Sequence, residues 1–303
     1  MDNRIETFRL SYVTLYTSNL EQMVEHYTKV MGLHSVEKDS DGTAYLSTST
    51  DHHNLILKPS STEKGLKNIG LQVKNTLSME EIAKQLSEAG IQAAIKTDAS
   101  PGLRQFIEFT DTEGNEIHLF TEMQSTGLGM NRNGIGPNKL GHIARWVENP
   151  KEMVHFYETI LSFRVSDWMR DFFAFMRCNQ DHHSVNFIKA IQPDQVNQLH
   201  HLAFELHDWG HLKDSLDLLG RHNTPIVWGP LRHGIGHNIA AYHQDPDGNL
   251  VELFIELDIM NEAMGYFEPR PWHRDFPQRP KVWEDTELAT SLWGIKPPEG
   301  LVE

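Results

Sequence analysis

The chain has 303 residues, 39% hydrophobic and 23% charged, an ordinary globular composition with length for about two domains of roughly 100–200 residues each. Asp plus Glu number 42 against 27 Lys plus Arg, and a net charge of −15 without a basic patch argues against a nucleic-acid partner. The single cysteine, Cys178, excludes an intrachain disulfide and a Cys-rich zinc site and reads as an inert buried thiol. In chain order, residues 12–16 read as a strand, and an amphipathic helix is expected from about residue 19 to 30, stopping near Gly32. DHHNLILK (51–58) and LKNIGLQV (66–73) follow, then DTEGNEIHLF (111–120), whose Asp-Thr-Glu-Gly-Asn is a turn opening a short apolar strand. NRNGIGPN (131–138) reads as a linker.

The series then returns. NPKEMVHFY (149–157) matches NLEQMVEHY (19–27), with Asn149 as N-cap and Pro150 at the first helical position. DHHSVNFIK (181–189), LHHLAFEL (199–206) and DPDGNLVELF (245–254) match the other three segments in the same order, at offsets drifting only from 130 to 134. The expected organisation is two homologous domains, 1–130 and 131–260. A Pro- and Trp-rich tail, 261–303, would be extended and pack its tryptophans on its own domain or on a neighbouring subunit. No apolar run approaches the ~20 residues of a membrane span, and the opening MDNRIETFRL lacks the apolar core of a signal peptide, so the expected location is the cytosol.

Eighteen histidines are the unusual feature, because imidazole is a frequent metal ligand and proton carrier. Alternate residues of a strand share a face. In 200–206, Leu202, Phe204 and Leu206 would take the helix side together with His200, leaving His201, Ala203 and Glu205 opposite, where Ala203 leaves room. In 249–256, Val251, Leu253 and Ile255 would take the helix side, placing Glu252 and Glu256 with Phe254 on the other. A carboxylate inside an apolar strand costs several kcal/mol unless paired or metal-bound. His142, in the first strand of the second half, supplies a third candidate, and two histidines with one carboxylate form the facial triad of non-haem Fe(II) oxygenases. Singly, each has a plainer reading: a hydrogen-bonded strand histidine, a half-exposed glutamate, solvated doublets at 52–53, 182–183 and 200–201, and a core tyrosine at 242. Glu148, Asp167 and Asp171 read as solvated charges.

The joint pattern of LGH (140–142), HSVNFI (183–188), HHLAF (200–204), GPLRHGIGHNIAAY (229–242) and DPDGNLVELF (245–254) resembles the vicinal oxygen chelate superfamily, specifically the two-domain extradiol dioxygenases of the catechol 2,3-dioxygenase type. The resemblance implies an α+β fold of four βαβββ modules paired into two domains, each sheet curled around a central cavity. It implies that His142, His201 and Glu252 bind Fe(II), or Mn(II) as in some members. His183 would be the acid/base beside the O2 site, and His233 and Tyr242 would hold the diol, with His237 a weaker candidate in the same loop. The first half carries Tyr12, Asn68 and His118 at the repeat positions of the triad, so it would hold no metal and be structural. The implied reaction opens a catechol-type ring next to its two hydroxyls with O2, giving a 2-hydroxymuconic semialdehyde-type product. Trp228 and Leu231 suggest an uncharged or hydrophobic ring, while the tail's resemblance to the homoprotocatechuate branch pulls toward a carboxylate-bearing one; the family suggests a homo-oligomer, a tetramer by preference. Two other readings share the scaffold: a glyoxalase-type metal-dependent isomerase or lyase, and a non-catalytic binding protein of the bleomycin-resistance kind.

Overall fold

A computed structural model describes residues 4–129, 131, 133–270 and 276–301. The first half runs β1 (Thr7–Thr17), α1 (Leu20–Glu25), β2 (His34–Lys38), β3 (Ala44–Ser47), β4 (Leu55–Pro59), β5 (Gly65–Val73), α2 (Met79–Glu88), β6 (Ala93–Ser100), β7 (Leu103–Thr110) and β8 (Glu116–Phe120). The second repeats it with β9 (Lys139–Val147), α3 (Pro150–Leu161), β10 (Arg164–Met169), β11 (Phe173–Arg177), β12 (Val185–Lys189), β13 (Leu199–Glu205), α4 (Trp209–Arg221), β14 (Ile226–Arg232), β15 (Ile239–Gln244) and β16 (Leu250–Ile255). These are four βαβββ modules, as the resemblance implies. The tail adds β17 (Met260–Asn261), β18 (Tyr266–Phe267), β19 (Lys281–Trp283) and α5 (Thr286–Thr290).

Local chemistry sets the element ends. Asn149 caps α3 by accepting from the Glu152 N–H, with Pro150 at the start, where its missing N–H costs nothing. The helix expected at 19–30 forms, but its last turn, His26–Val30, is a π-helix. Each Asp-x-x-Gly-Asn turn closes on its aspartate: Gly114 N–H donates to the Asp111 carbonyl and Gly248 N–H to that of Asp245.

The first sheet has the order β2-β3-β4-β1-β5-β8-β7-β6, and the second β14-β15-β16-β13-β9-β12-β11-β10-β19. Each is two modules joined at their first strands, β1 to β5 and β9 to β13. In the second sheet Met169 of β10 and Trp228 of β14, near opposite ends of the strand order, line one cavity, so the sheet must curl round it. The helices cover the other face, where Leu202 and Phe204 of β13 and Val251, Leu253 and Ile255 of β16 join the core with Leu212 and Leu219 of α4.

The halves lock together reciprocally. Tyr27 donates to Asp245 at 3.0 Å, and the fully buried Arg145 donates to Asp111 at 3.2 Å. His26 faces His243 across the same seam, Nε2 to Nε2 at 3.3 Å, while the repeat-related pair is Phe156 and Phe109, ring centres 6.5 Å apart.

The tail is less extended than expected. β19 pairs parallel with β10 and lengthens the second sheet, and Trp283 is buried there. Trp293, by contrast, is 48% exposed, and Trp272 lies outside the described residues. Among the described residues no helix is long and apolar enough to cross a membrane.

Candidate metal centre

Strand register builds the site. Ala203 of β13 pairs with Glu252 of β16 on one side and His142 of β9 on the other, and Glu252 pairs onward with Tyr242 of β15. Tyr242, Glu252, Ala203 and His142 thus form one row across the sheet, and His201 stands two residues along from Ala203. The small Ala203 side chain leaves the middle of the row open. Glu252 Oε2 lies 3.2 Å from His142 Nε2 and 3.3 Å from His201 Nε2, and the three ligand atoms fall within 4.8 Å of one another. All three residues are buried.

The remaining expected residues gather around this row, with one exception. The His183 ring centre is 4.2 Å from that of His142. His233 Nε2 meets the Tyr242 hydroxyl at 2.8 Å, and Trp228 stacks on Tyr242 with ring centres 4.9 Å apart. All of these line one cavity, completed by Met169, Phe173, Phe175 and Ile235. His237 is the exception. It points away from the lining and its Nδ1 meets Asp258 Oδ2 at 2.7 Å. Glu256, expected beside Glu252, lies past the end of β16 with φ +58° and pairs with Arg232 at 2.7 Å.

Two further expectations are corrected. His200 does not face the helices: a bulge between Leu199 and His201 shifts β13 against β9, which turns His200 into the cavity beside Trp146 and Phe173. Asp167 is no solvated charge. It is fully buried, and it accepts from the Lys281 and Trp283 N–H groups and meets His182 Nε2 at 3.2 Å. The doublets at 52–53 and 182–183 are buried as well.

Burial dominates the electrostatics. It holds the His183 and His201 imidazoles well below 6.5, lowers His233, and pushes His200 down to about 4. It raises the Tyr242 phenol, with the Glu252 charge adding to the effect. Burial alone would raise the Glu252 carboxyl, yet His142 and His233 outweigh it and hold the group below its usual value. Burial therefore favours the neutral form of His183, His200, His201 and His233, while Glu252 is held as the carboxylate. His201 Nε2 is buried without a hydrogen-bond partner, although Glu252 Oε2 is near. A cation among these atoms would satisfy both.

Sequence reasoning missed two polar groups here. Asn238 donates to Glu252 Oε1 at 2.8 Å, fixing the carboxylate from behind, and the buried Asn186 amide lines the cavity between Phe175 and Ala144. The alternation of β12 could have placed Asn186, but Asn238 sits in a loop where no period applies. Cys178 is buried as expected, its thiol pushed up to about 11 by burial.

In the first half, the corresponding row is filled. Tyr12 pairs with Gly70 and Gly70 with His118, and the Tyr12 ring lies where a Cβ on Gly70 would come within 1.9 Å of it. The Tyr12 hydroxyl bonds His118 Nδ1 at 2.6 Å. Glu108, Glu116 and His118 cluster nearby, but Lys67 and Lys96 already pair with the two carboxylates.

Against known families, residues 9–119 and 139–253 match the model of the Glyoxalase/Bleomycin resistance protein/Dioxygenase superfamily. The chain belongs to that superfamily. Among curated relatives, it is 26% identical to a metapyrocatechase of Geobacillus stearothermophilus, over 94% of this chain and 92% of the relative. It is 25% identical to a manganese-dependent 2,3-dihydroxybiphenyl 1,2-dioxygenase of Geobacillus genomosp. 3, over 93% and 95%. A Mn(II)-bound glyoxalase from Novosphingobium aromaticivorans superposes with a TM-score of 0.84 at 23% identity, over 99% and 95%. That last likeness speaks for the fold alone, which hosts more than one chemistry.

Proposed function

We propose that this chain is an extradiol dioxygenase that opens a catechol-type vicinal aromatic diol with O2, using one divalent metal held by His142, His201 and Glu252. The observation that carries the reading is the facial triad in the second sheet, with His183, His233 and Tyr242 free of ligand duty around the same cavity. Curated relatives named as metapyrocatechase and dihydroxybiphenyl dioxygenase support it. Fe(II) is the first candidate and Mn(II) the second. When bound, the metal would offer open positions to both the diol and O2 and a path for electrons between them.

The chain's own groups do the rest. Tyr242 and His233, bonded to each other, orient the diol and draw a proton from it. That proton goes to His233 Nε2, because His233 Nδ1 is committed to the Thr290 carbonyl at 2.7 Å. His183, kept neutral by burial, holds or returns a proton on the O2 side. Trp228, Phe173 and Phe175 bracket the ring and exclude water. No Lys or Arg stands among the described lining residues, which favours catechol, an alkylcatechol or a dihydroxybiphenyl over a ring bearing a carboxylate. The expected product is a 2-hydroxymuconic semialdehyde or a substituted relative, formed in a cytosolic homo-oligomer, a tetramer by preference.

The alternative on the same fold is a glyoxalase-type metal-dependent isomerase. One assay separates the two: load Fe(II) anaerobically, then admit O2 and catechol. A yellow ring-fission product is expected, and no colour with any simple diol would favour the isomerase. His183→Ala should keep the metal and lose most turnover, whereas His201→Ala should lose the metal. Equal metal loss in both would contradict the assigned roles.

A further inference from the structure

The three His-His doublets are wired alike. In each, the two imidazoles meet Nδ1 to Nδ1, at 3.0 Å for His52–His53, 2.9 Å for His182–His183 and 2.6 Å for His200–His201. In each, Nε2 of the first imidazole meets an oxygen: Glu37 Oε2 at 3.1 Å, Asp167 Oδ2 at 3.2 Å and the Leu301 carbonyl at 2.6 Å. A carbonyl oxygen only accepts, so His200 carries its proton on Nε2. A neutral imidazole has one such proton, and His200 lies among the rings of Trp146 and Phe173, where the neutral form is favoured. Its Nδ1 is therefore bare, and the contact with His201 is a hydrogen bond only if His201 Nδ1 donates. That leaves the lone pair of His201 on Nε2, the buried nitrogen beside Glu252 that has no hydrogen-bond partner.

The same reasoning reaches His183. A neutral His182 that donates its Nε2–H to Asp167 has a bare Nδ1, so in that state His183 Nδ1 donates and His183 Nε2 keeps its lone pair. Asp167 is in turn held by the Lys281 backbone N–H and the Trp283 indole N–H, both at 2.9 Å. Both wires thus end on residues 281–301.

We infer that the C-terminal segment fixes which ring nitrogen carries the proton at the cavity, with His200 and His182 as positioning residues that pass this constraint to His201 and His183. An imidazole in water favours the tautomer protonated on Nε2, which cannot bind a cation through that atom. The wiring imposes the other tautomer before any ligand arrives. The consequence for metal affinity rests on the function proposed above; the tautomer assignment does not.

Two-bond ¹⁵N–¹H correlation spectra of the full-length, metal-free protein labelled at histidine read the tautomers directly. His201 and His183 are expected protonated on Nδ1, and His200 and His182 on Nε2; His201 found protonated on Nε2 overturns the inference without any mutation. His200→Phe keeps a ring between Trp146 and Phe173 but accepts nothing, and it should weaken Mn(II) binding about 10–100-fold, the usual loss when a ligand histidine loses its partner. His200→Asn, whose carbonyl can stand where Nδ1 stood, should recover most of that loss. Equal affinity in all three proteins, or equal loss in both variants, would also overturn it. A parent protein that fails to bind Mn(II) or Fe(II) would sink the metal reading, while the spectra would still decide the wiring.

Discussion

The seam between the halves makes the chain acid-sensitive, and its repeat supplies the control. His26 and His243 are buried Nε2 to Nε2, and burial lowers their pKa values to about 4 and about 3, with His222 adding to the effect on His26. Both folded values lie below 6.5, so the unfolded chain binds more protons once the pH drops under 6.5, and stability falls with pH until the folded values are reached. At pH 4.5, about two units below the unfolded value, each imidazole costs roughly 2–3 kcal/mol, so the pair costs about 5 kcal/mol. That is comparable to the ~5–15 kcal/mol that holds a typical domain folded. The repeat-related contact is the apolar pair Phe156 and Phe109, so His26→Phe with His243→Phe copies a solution the molecule already uses. Urea midpoints from pH 7.5 to 4.5 should fall steeply for the parent and several kcal/mol less for the double variant, with similar m-values. Equal losses over that range would refute the assignment of acid sensitivity to this pair.

Three further outcomes are expected. Ala203→Val puts two methyls into the gap between Glu252 and His142; overpacking costs about 1–3 kcal/mol in the urea midpoint, and Mn(II) titration should show affinity at least tenfold weaker. Gly70→Ala meets the Tyr12 ring at 1.9 Å, so it should lower the midpoint by about 1–3 kcal/mol while leaving metal binding in the second sheet unchanged. Arg145→Ala strands Asp111 in the interface; losing one partner of a buried pair costs about 3–5 kcal/mol, read as a lower thermal midpoint by calorimetry.

Much of the site was legible because strands alternate. His201 and Glu252 were each placed opposite the helix side by period-2 reasoning, and the register that sets Glu252 beside Ala203 agrees with it, whereas His142 entered as a third candidate whose role the family resemblance supplied. His200 was misplaced because a bulge inserts one residue, and one residue reverses a strand's faces. Asp167 was misread as solvated because its partners, Lys281 and Trp283, lie more than a hundred residues away. His237 was drawn toward the site by its neighbours in the loop, but its left-handed backbone, φ +52°, turns it to Asp258.

Local spacing, then, determined the repeat and the faces of the strands that carry His201 and Glu252, because apolar periodicity and turn chemistry act between near neighbours; the four modules and the proposed triad came from the family resemblance that those motifs carry. Tertiary structure decided what the imidazoles around that triad can do. Their proton positions depend on acceptors supplied or held by the last strand and tail, Asp167, Thr290 and Leu301, and a hydrogen bond across such sequence distances leaves no periodic trace.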